Sequence, residues 1–185
     1  LDRYLVAAGV AGIEAVIVVN KMDLVEDPVV LRTSFVHYER MGYRVIFTST
    51  VTSTGLTELA EALAGRISVF VGESGTGKSS LISQWISADS LKIGRVNRES
   101  GKGRHTTTVT SLYHLPNGGS LLDSPGIREF GLHAVTAGQV GRYFPDIAPW
   151  MDRCRFSNCT HDSEPDCAVQ GAIQSGQLHP ARLAS

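Results

Sequence analysis

The run Gly72-Glu73-Ser74-Gly75-Thr76-Gly77-Lys78-Ser79 constrains this chain more than any other stretch. Before it stands Ile67-Ser68-Val69-Phe70-Val71, apolar enough for a buried strand, and after it Ser80-Leu81-Ile82-Ser83-Gln84-Trp85, which reads as a helix. Strand, glycine loop and helix are the context in which GxxxxGK[ST] carries meaning. Glycines at 72, 75 and 77 permit a tight backbone whose N–H groups turn inward, toward a phosphate at the start of the following helix. Lys78 supplies a point charge for the outer phosphates, and the Ser79 hydroxyl is the expected protein ligand of Mg²⁺.

A phosphate loop does not name the base, so the other loops must. The apolar run 13–19 reads as a parallel strand covered on both faces, and it ends in Asn20-Lys21-Met22-Asp23. A carboxylate at 23 can accept both the ring N–H and the exocyclic amine of guanine, paired donors that adenine lacks. Asn20 can contact the guanine edge and hold neighbouring loops, while the Lys21 stem lies over the ring face. A second strand, Arg44 to Phe47, runs into the polar loop holding Ser49 and Thr50, a further candidate base loop. Asp123-Ser124-Pro125-Gly126 follows the strand 120–122; Asp123 is expected to hold a water of the Mg²⁺ shell and the Gly126 N–H to meet the γ-phosphate. One hydroxyl of Thr106, Thr107 and Thr108 is expected to reach Mg²⁺ and the γ-phosphate, and spacing does not decide which.

Length and composition bound the rest. A chain of 185 residues buries one substantial core plus a small appendage, and 42% hydrophobic with 19% charged residues reads as globular and soluble. No apolar run approaches the ~20 residues of a membrane span, and no basic, apolar leader precedes Leu1, so a cytoplasmic setting is expected. A chain that does not begin with Met reads as a fragment. A net charge of -1 gives no global attraction to nucleic acid, so such a partner must meet a local patch. The stretch 92–105 offers one: Lys92, Arg95, Arg98, Lys102 and Arg104 stand against Glu99 alone. It reads as a mobile basic loop that either contacts RNA or is merely solvated, since no aromatic residues are interleaved for stacking.

Helices are expected at 2–11, from Asp27-Pro28 to Gly42 with Leu31, Phe35 and Tyr38 on one face, and at Leu56, Leu59 and Leu63. A strand over 107–115 and the turn Pro116-Asn117-Gly118-Gly119 complete a hairpin with 120–122. Alternating strands and helices predict an α/β doubly wound fold over 1–138. Beyond that the pattern turns irregular, and a separate module is expected at 139–185.

That module carries all three cysteines. Cys154, Cys159, His161 and Cys167 fall as C-x4-C-x-H-x5-C, a full tetrahedral Cys₃His set, which predicts a closed, structural zinc site. The metal is expected to stabilise a knob too small for its own core, with chelation unfolding 145–170 first. A helix is expected to begin at Ala168 and to be cut short by the chain end. The module is not basic: residues 139–185 hold four Lys or Arg and five Asp or Glu.

The guanine motifs stand in a rotated order. Ras-type GTPases place the phosphate loop first and NKxD last; here NKxD and the Ser49-Thr50 loop precede Gly72, so the domain reads as a circularly permuted P-loop GTPase. With Asp2-Arg3-Tyr4-Leu5, the run Gly72 to Ser80, Gly103-Arg104-His105-Thr106-Thr107-Thr108, Asp123 to Gly126 with Arg128-Glu129-Phe130, and the cysteine cluster, the chain resembles the RsgA (YjeQ) family of ribosome small-subunit-dependent GTPases. The resemblance implies a monomeric GTPase acting in late maturation of the small ribosomal subunit and touching its rRNA. It also implies a preceding OB-fold and a further central strand, so the 185-residue piece is expected to be poorly stable alone.

Ile127 follows Gly126 where Ras-type enzymes place the glutamine that orients the attacking water. Slow intrinsic hydrolysis, accelerated by the subunit, is the expectation. His105 is the internal candidate for positioning that water, or else a loop histidine bonded to backbone or RNA. The alternative to a switch is a guanine-nucleotide-gated binding module whose turnover is incidental; a large-subunit GTPase and an ATP-using enzyme fit the motifs less well.

Overall fold

The computed structural model describes residues 1–86, 92–96, 110–123 and 135–180. Helix α1 (Asp2–Val10) buries Leu5, Val6 and Ala7. Strand β1 (Val16–Val19), a 3₁₀ turn (Met22–Leu24), helix α2 (Pro28–Arg40) and strand β2 (Arg44–Phe47) follow. Along α2, Leu31 and Phe35 are half-buried and Tyr38 is buried, so the expected face is the one that packs. Helix α3 (Leu56–Leu63) turns Leu59 and Leu63 inward.

Among the described residues the strands form two sheets. One pairs β1 with β2; the other has four strands, β3 (Ile67–Val69), β6 (Ser120–Asp123), β5 (Thr110–His114) and β4 (Lys92–Val96), in that spatial order. β3 and β6 run parallel with Val69 opposite Leu122, while β6–β5 and β5–β4 are antiparallel. β1 departs from expectation: only Ile17 is fully buried and the other three positions are half-buried, so it is not a strand covered on both faces. The hairpin turn forms as the sequence requires. Asn117 donates its side-chain amide to the Ala60 carbonyl and accepts the Gly119 N–H at 3.2 Å, tying the turn to α3.

Two expectations are corrected. The segment 92–96, read as part of a mobile loop, is strand β4. Its apolar residues Ile93 and Val96 are three apart, which hides the period-2 signal of a strand. The register supplies the reason: Lys92 faces Tyr113 and Arg95 faces Ser111, so a bulge inserts one extra residue between them. Helix α6 (Ala168–Gln174) is ended by its own cap rather than by the chain end. Gly176 at φ 75° closes it, with the Gln177 and Leu178 N–H groups on the Ala172 carbonyl at 2.8 and 3.0 Å.

The chain divides into two compact units that do not follow chain order. One holds 18–28 and 46–129, and with them every described guanine-motif residue. The other holds 1–17, 29–45 and 130–185. In the latter, Val6 of α1 joins Phe144, Ile147, Cys159, Cys167, Val169, Ala172 and Leu178 in one apolar cluster. The cysteine knob therefore does have a core, completed by a helix more than a hundred residues away in sequence. A 3₁₀ helix (Ala137–Tyr143) with a Thr136–Gln139 capping box and the short helix α5 (Ala148–Met151) cover it. Tyr38 donates its hydroxyl to the Asp2 carboxylate at 3.2 Å, fixing α2 against α1.

Candidate functional site

The phosphate loop is wound around its own lysine. Lys78 Nζ donates to the carbonyls of Gly72 at 2.7 Å and Glu73 at 2.6 Å, and lies 3.4 Å from Thr76 Oγ1. Thr76 Oγ1 in turn donates to the Glu73 carbonyl at 3.0 Å. Lys78 also opens helix α4 (Lys78–Ser83), which begins two residues earlier than its apolar positions suggest. Ser74, Gly75, Ser79 and Ser80 are exposed or carry no side chain, with Gly75 at φ 84°.

Asn20 joins this loop to the one that carries Asp23. Its side-chain amide donates to the Thr76 carbonyl at 3.1 Å and its carbonyl oxygen accepts the Thr48 hydroxyl at 3.1 Å. A Cβ on Gly77 would fall 2.3 Å from Asn20 Nδ2, and the residue sits at φ 90°, so only glycine fits there. Asp23 is exposed, and its Oδ1 accepts the Ser49 hydroxyl at 2.5 Å. Ser49 is fully buried and its oxygen accepts the Val51 and Thr52 N–H groups, both at 3.2 Å, so this serine holds the carboxylate from a fixed base. Lys21 takes a left-handed backbone at φ 65° and is exposed; the Met22 N–H reaches the Thr48 carbonyl at 3.0 Å. Thr50, half-buried, continues the same loop.

Asp123 closes β6, one register step beyond Leu122, which faces Val69, so its backbone stands beside the strand that leads into Gly72. The structure thus brings Asn20, Asp23, Ser49 and the 72–80 loop into one connected set, with the Asp123 backbone at the same ends of the parallel strands. His105, Thr106, Thr107, Thr108 and Gly126 lie outside the described residues. Sequence reasoning missed Thr48, which bridges Asn20 from complete burial. Its position directly after an apolar strand was the available signal.

The second set lies in the other unit. The donor atoms of Cys154, Cys159, His161 and Cys167 all lie within 4.8 Å of one another. His161 Nδ1 is 3.6 Å from Cys154 Sγ and 3.5 Å from Cys167 Sγ, and the two sulfurs are 4.0 Å apart. Zinc bond lengths of about 2.3 Å to sulfur and about 2.0 Å to nitrogen imply tetrahedron edges of roughly 3.6 Å for N···S and roughly 3.8 Å for S···S. The residues fit a tetrahedral metal bound through His161 Nδ1. A disulfide does not fit, since the thiols are free and the measured sulfurs are far beyond bonding distance.

Burial opposes the thiolate that a metal needs at Cys159 and favours the neutral imidazole that it needs at His161. Burial pushes the Cys159 thiol up to about 12, opposed by the His161 backbone N–H and reinforced by the Cys167 and Cys154 thiols. Burial also lowers His161, against the pull of Glu164, which keeps the imidazole in its neutral, metal-binding form. His161 Nε2 is buried with no hydrogen-bond partner among the described residues. Glu164, which sequence reasoning passed over, is drawn down to about 2, first by the Thr160 hydroxyl and then by backbone N–H groups.

Comparison with known proteins places both sets in context. The model of the family described as RsgA GTPase matches residues 1–133. The chain is 47% identical over 186 residues to "Small ribosomal subunit biogenesis GTPase RsgA" of Chromohalobacter salexigens, covering 100% of this chain and 55% of that protein. Among solved structures, YjeQ from Thermotoga maritima superposes with a TM-score of 0.76 at 33% identity, covering 99% of this chain and 61% of that one. YloQ, described as a circularly permuted GTPase, gives 0.77 at 29% identity, with 99% and 58% covered. The chain spans about half the length of the curated relatives it matches.

Proposed function

The chain belongs to the RsgA GTPase family, and from that premise we propose that it is part of a GTP-hydrolysing switch that acts in late maturation of the small ribosomal subunit. The observation that carries the reading is the Asn20 bridge, which joins a guanine-reading loop to a phosphate loop through the Thr76 carbonyl. In this reading Asp23, oriented by Ser49, accepts the ring N–H and exocyclic amine of guanine. Lys21 covers the ring, with Thr50 beside it, and the loop from Gly72 through Glu73, Ser74, Gly75, Thr76 and Gly77 to Ser80 wraps the phosphates. Lys78, now spending its donors on loop carbonyls, exchanges one of them for a phosphate oxygen. Ser79 would hold Mg²⁺ and Asp123 a water of its shell, and the ion would supply charge neutralisation to the phosphates. Gly126 and one of Thr106, Thr107 and Thr108 sense the γ-phosphate, and His105 positions the attacking water.

The proposal includes a GTPase domain over 1–138, a zinc module over 139–185 and a cytoplasmic monomer. Its partners are guanine nucleotide and the small subunit with its rRNA. Among the described residues no helix is long and apolar enough to cross a membrane. Zinc in the Cys₃His set is structural, because four protein donors leave no position for a reacting water.

Binding of GTP, GDP and ATP by the full-length protein, and kcat with and without small subunits, test the reading together. Guanine preference and a large rise in kcat with subunits are expected, since partner-supplied groups raise such rates by roughly 10³ to 10⁵. A preference for ATP would end it. A second reading, a guanine-gated binding module with incidental turnover, is favoured by Ile127 in place of a water-orienting glutamine; it predicts subunit affinity that changes with nucleotide while kcat does not.

A further inference from the structure

The loop that presents His161 is clamped from two sides by side chains that are not metal donors. Glu164 gathers four donors from the three residues around the histidine. Its Oε1 accepts the Thr160 N–H at 2.7 Å and the Thr160 hydroxyl at 2.6 Å, and its Oε2 accepts the N–H groups of Asp162 at 3.1 Å and Ser163 at 3.2 Å. From the other side Gln170 Nε2 donates to the His161 carbonyl at 3.1 Å and to the Asp162 carbonyl. The Gln170 backbone N–H donates to Cys167 Sγ at 3.5 Å, so one residue of α6 touches two of the four ligands.

What the clamp holds is a backbone that would otherwise relax. His161 stands at φ 65°, a left-handed conformation that is uncommon for a residue other than glycine. Released from Glu164 and Gln170, residues 160–163 would turn their N–H groups to water and His161 would return to an ordinary backbone well. Its Nδ1 would then leave the position 3.5 to 3.6 Å from two sulfurs that a tetrahedral metal requires. Glu164 itself is no fifth ligand, because both its oxygens are taken by backbone and hydroxyl donors of the same loop.

We propose that Glu164 and Gln170 are positioning residues that set the metal affinity of the Cys154, Cys159, His161, Cys167 site by preorganising the left-handed turn at His161. The proposal rests on the zinc reading given above. Partners that orient a metal ligand typically contribute about 10- to 100-fold in affinity, and a loop already in its bound shape avoids the ordering cost at the moment of binding.

Zinc affinity by chelator competition, measured on the full-length protein, tests this with three variants. Glu164→Ala removes the acceptor, and Gln170→Glu is nearly isosteric but removes the two donated hydrogen bonds while keeping the fold of α6. Leu59→Ala thins the packing of helix α3, in the other compact unit, and serves as the control. Glu164→Ala and Gln170→Glu are each expected to bind zinc about 10- to 100-fold more weakly, whereas Leu59→Ala lowers Tm and leaves zinc affinity unchanged. With Co²⁺ in the site, the thiolate charge-transfer bands should persist in the loop variants while the ligand-field bands, which report the histidine, shift. Loop variants that bind like the parent, or a control that weakens binding as much as they do, overturn the proposal. A parent chain that takes up no zinc overturns the metal reading beneath it, and that result is visible before any variant is made.

Discussion

Asn20 faces both ways, donating to the phosphate loop and accepting from Thr48, so a change at its contact on Gly77 should be felt at the nucleotide. Gly77→Ala places a methyl 2.3 Å from the Asn20 amide at a φ of 90°. We expect guanine nucleotide affinity to fall at least tenfold, about 1.4 kcal/mol or more, in a titration with fluorescent GDP. Ser49→Ala removes the hydroxyl that holds Asp23 and should cost about 1.5 to 3 kcal/mol of nucleotide binding; an unchanged Kd would take Ser49 out of the site. Asn20, Asp23, Ser49 and the cysteine set were legible in the sequence as candidates, through their motifs. Thr48 and Glu164 were not, because their roles depend on burial and on which N–H groups come within reach. Glu164 also sets a pH dependence. Its carboxyl is held near 2 in the folded loop against an ordinary 4.5, so the stabilisation is present above about 4.5 and is lost as pH falls toward 2. In the metal-free protein, the protection of the Thr160, Asp162 and Ser163 amides, taken against the intrinsic exchange rate at each pH, should fall as pH is lowered across that window, and Glu164→Gln should remove the step.

Elements show where pattern reading stops. α1, α3, β2 and the hairpin turn follow their apolar spacing and turn residues because each makes its hydrogen bonds locally or with one neighbour. β4 does not, since a bulge set by its partner β5 shifts its apolar positions out of period. The end of α6 likewise depends on Gly176 adopting a left-handed turn well before the chain stops. The shared cluster of Val6 with Cys159 and Cys167 leads to a prediction that the spacing of the cysteines alone would not make. Chelation should raise amide exchange over 145–170 and also in Leu5 to Ala7 of α1; an α1 that keeps its protection would show the cluster to be independent of the metal. Val6→Ala is expected to cost about 2 kcal/mol in the metal-loaded protein, by denaturant unfolding.

At the scale of the molecule, the guanine-motif set and the metal set fall in different compact units. Scanning calorimetry should therefore separate them: saturating Mg²⁺–GDP raises the transition of the unit holding 46–129 by mass action, about 2.7 kcal/mol at a hundred times Kd, while chelation lowers the transition of the other. A single transition that both treatments shift equally would contradict this division. The sequence by itself determined the candidates: a GxxxxGK[ST] loop, an NKxD tetrapeptide and a Cys₃His set each occupy a short stretch, and their rotated order is read along the chain. Only the tertiary structure decided which of them meet. Asn20 reaches Thr76 across fifty-six positions, and Val6 enters a cluster with Cys159 and Cys167 from the opposite end of the chain. Such contacts arise from burying apolar surface and satisfying polar groups over the whole fold, a condition that no local window of residues contains.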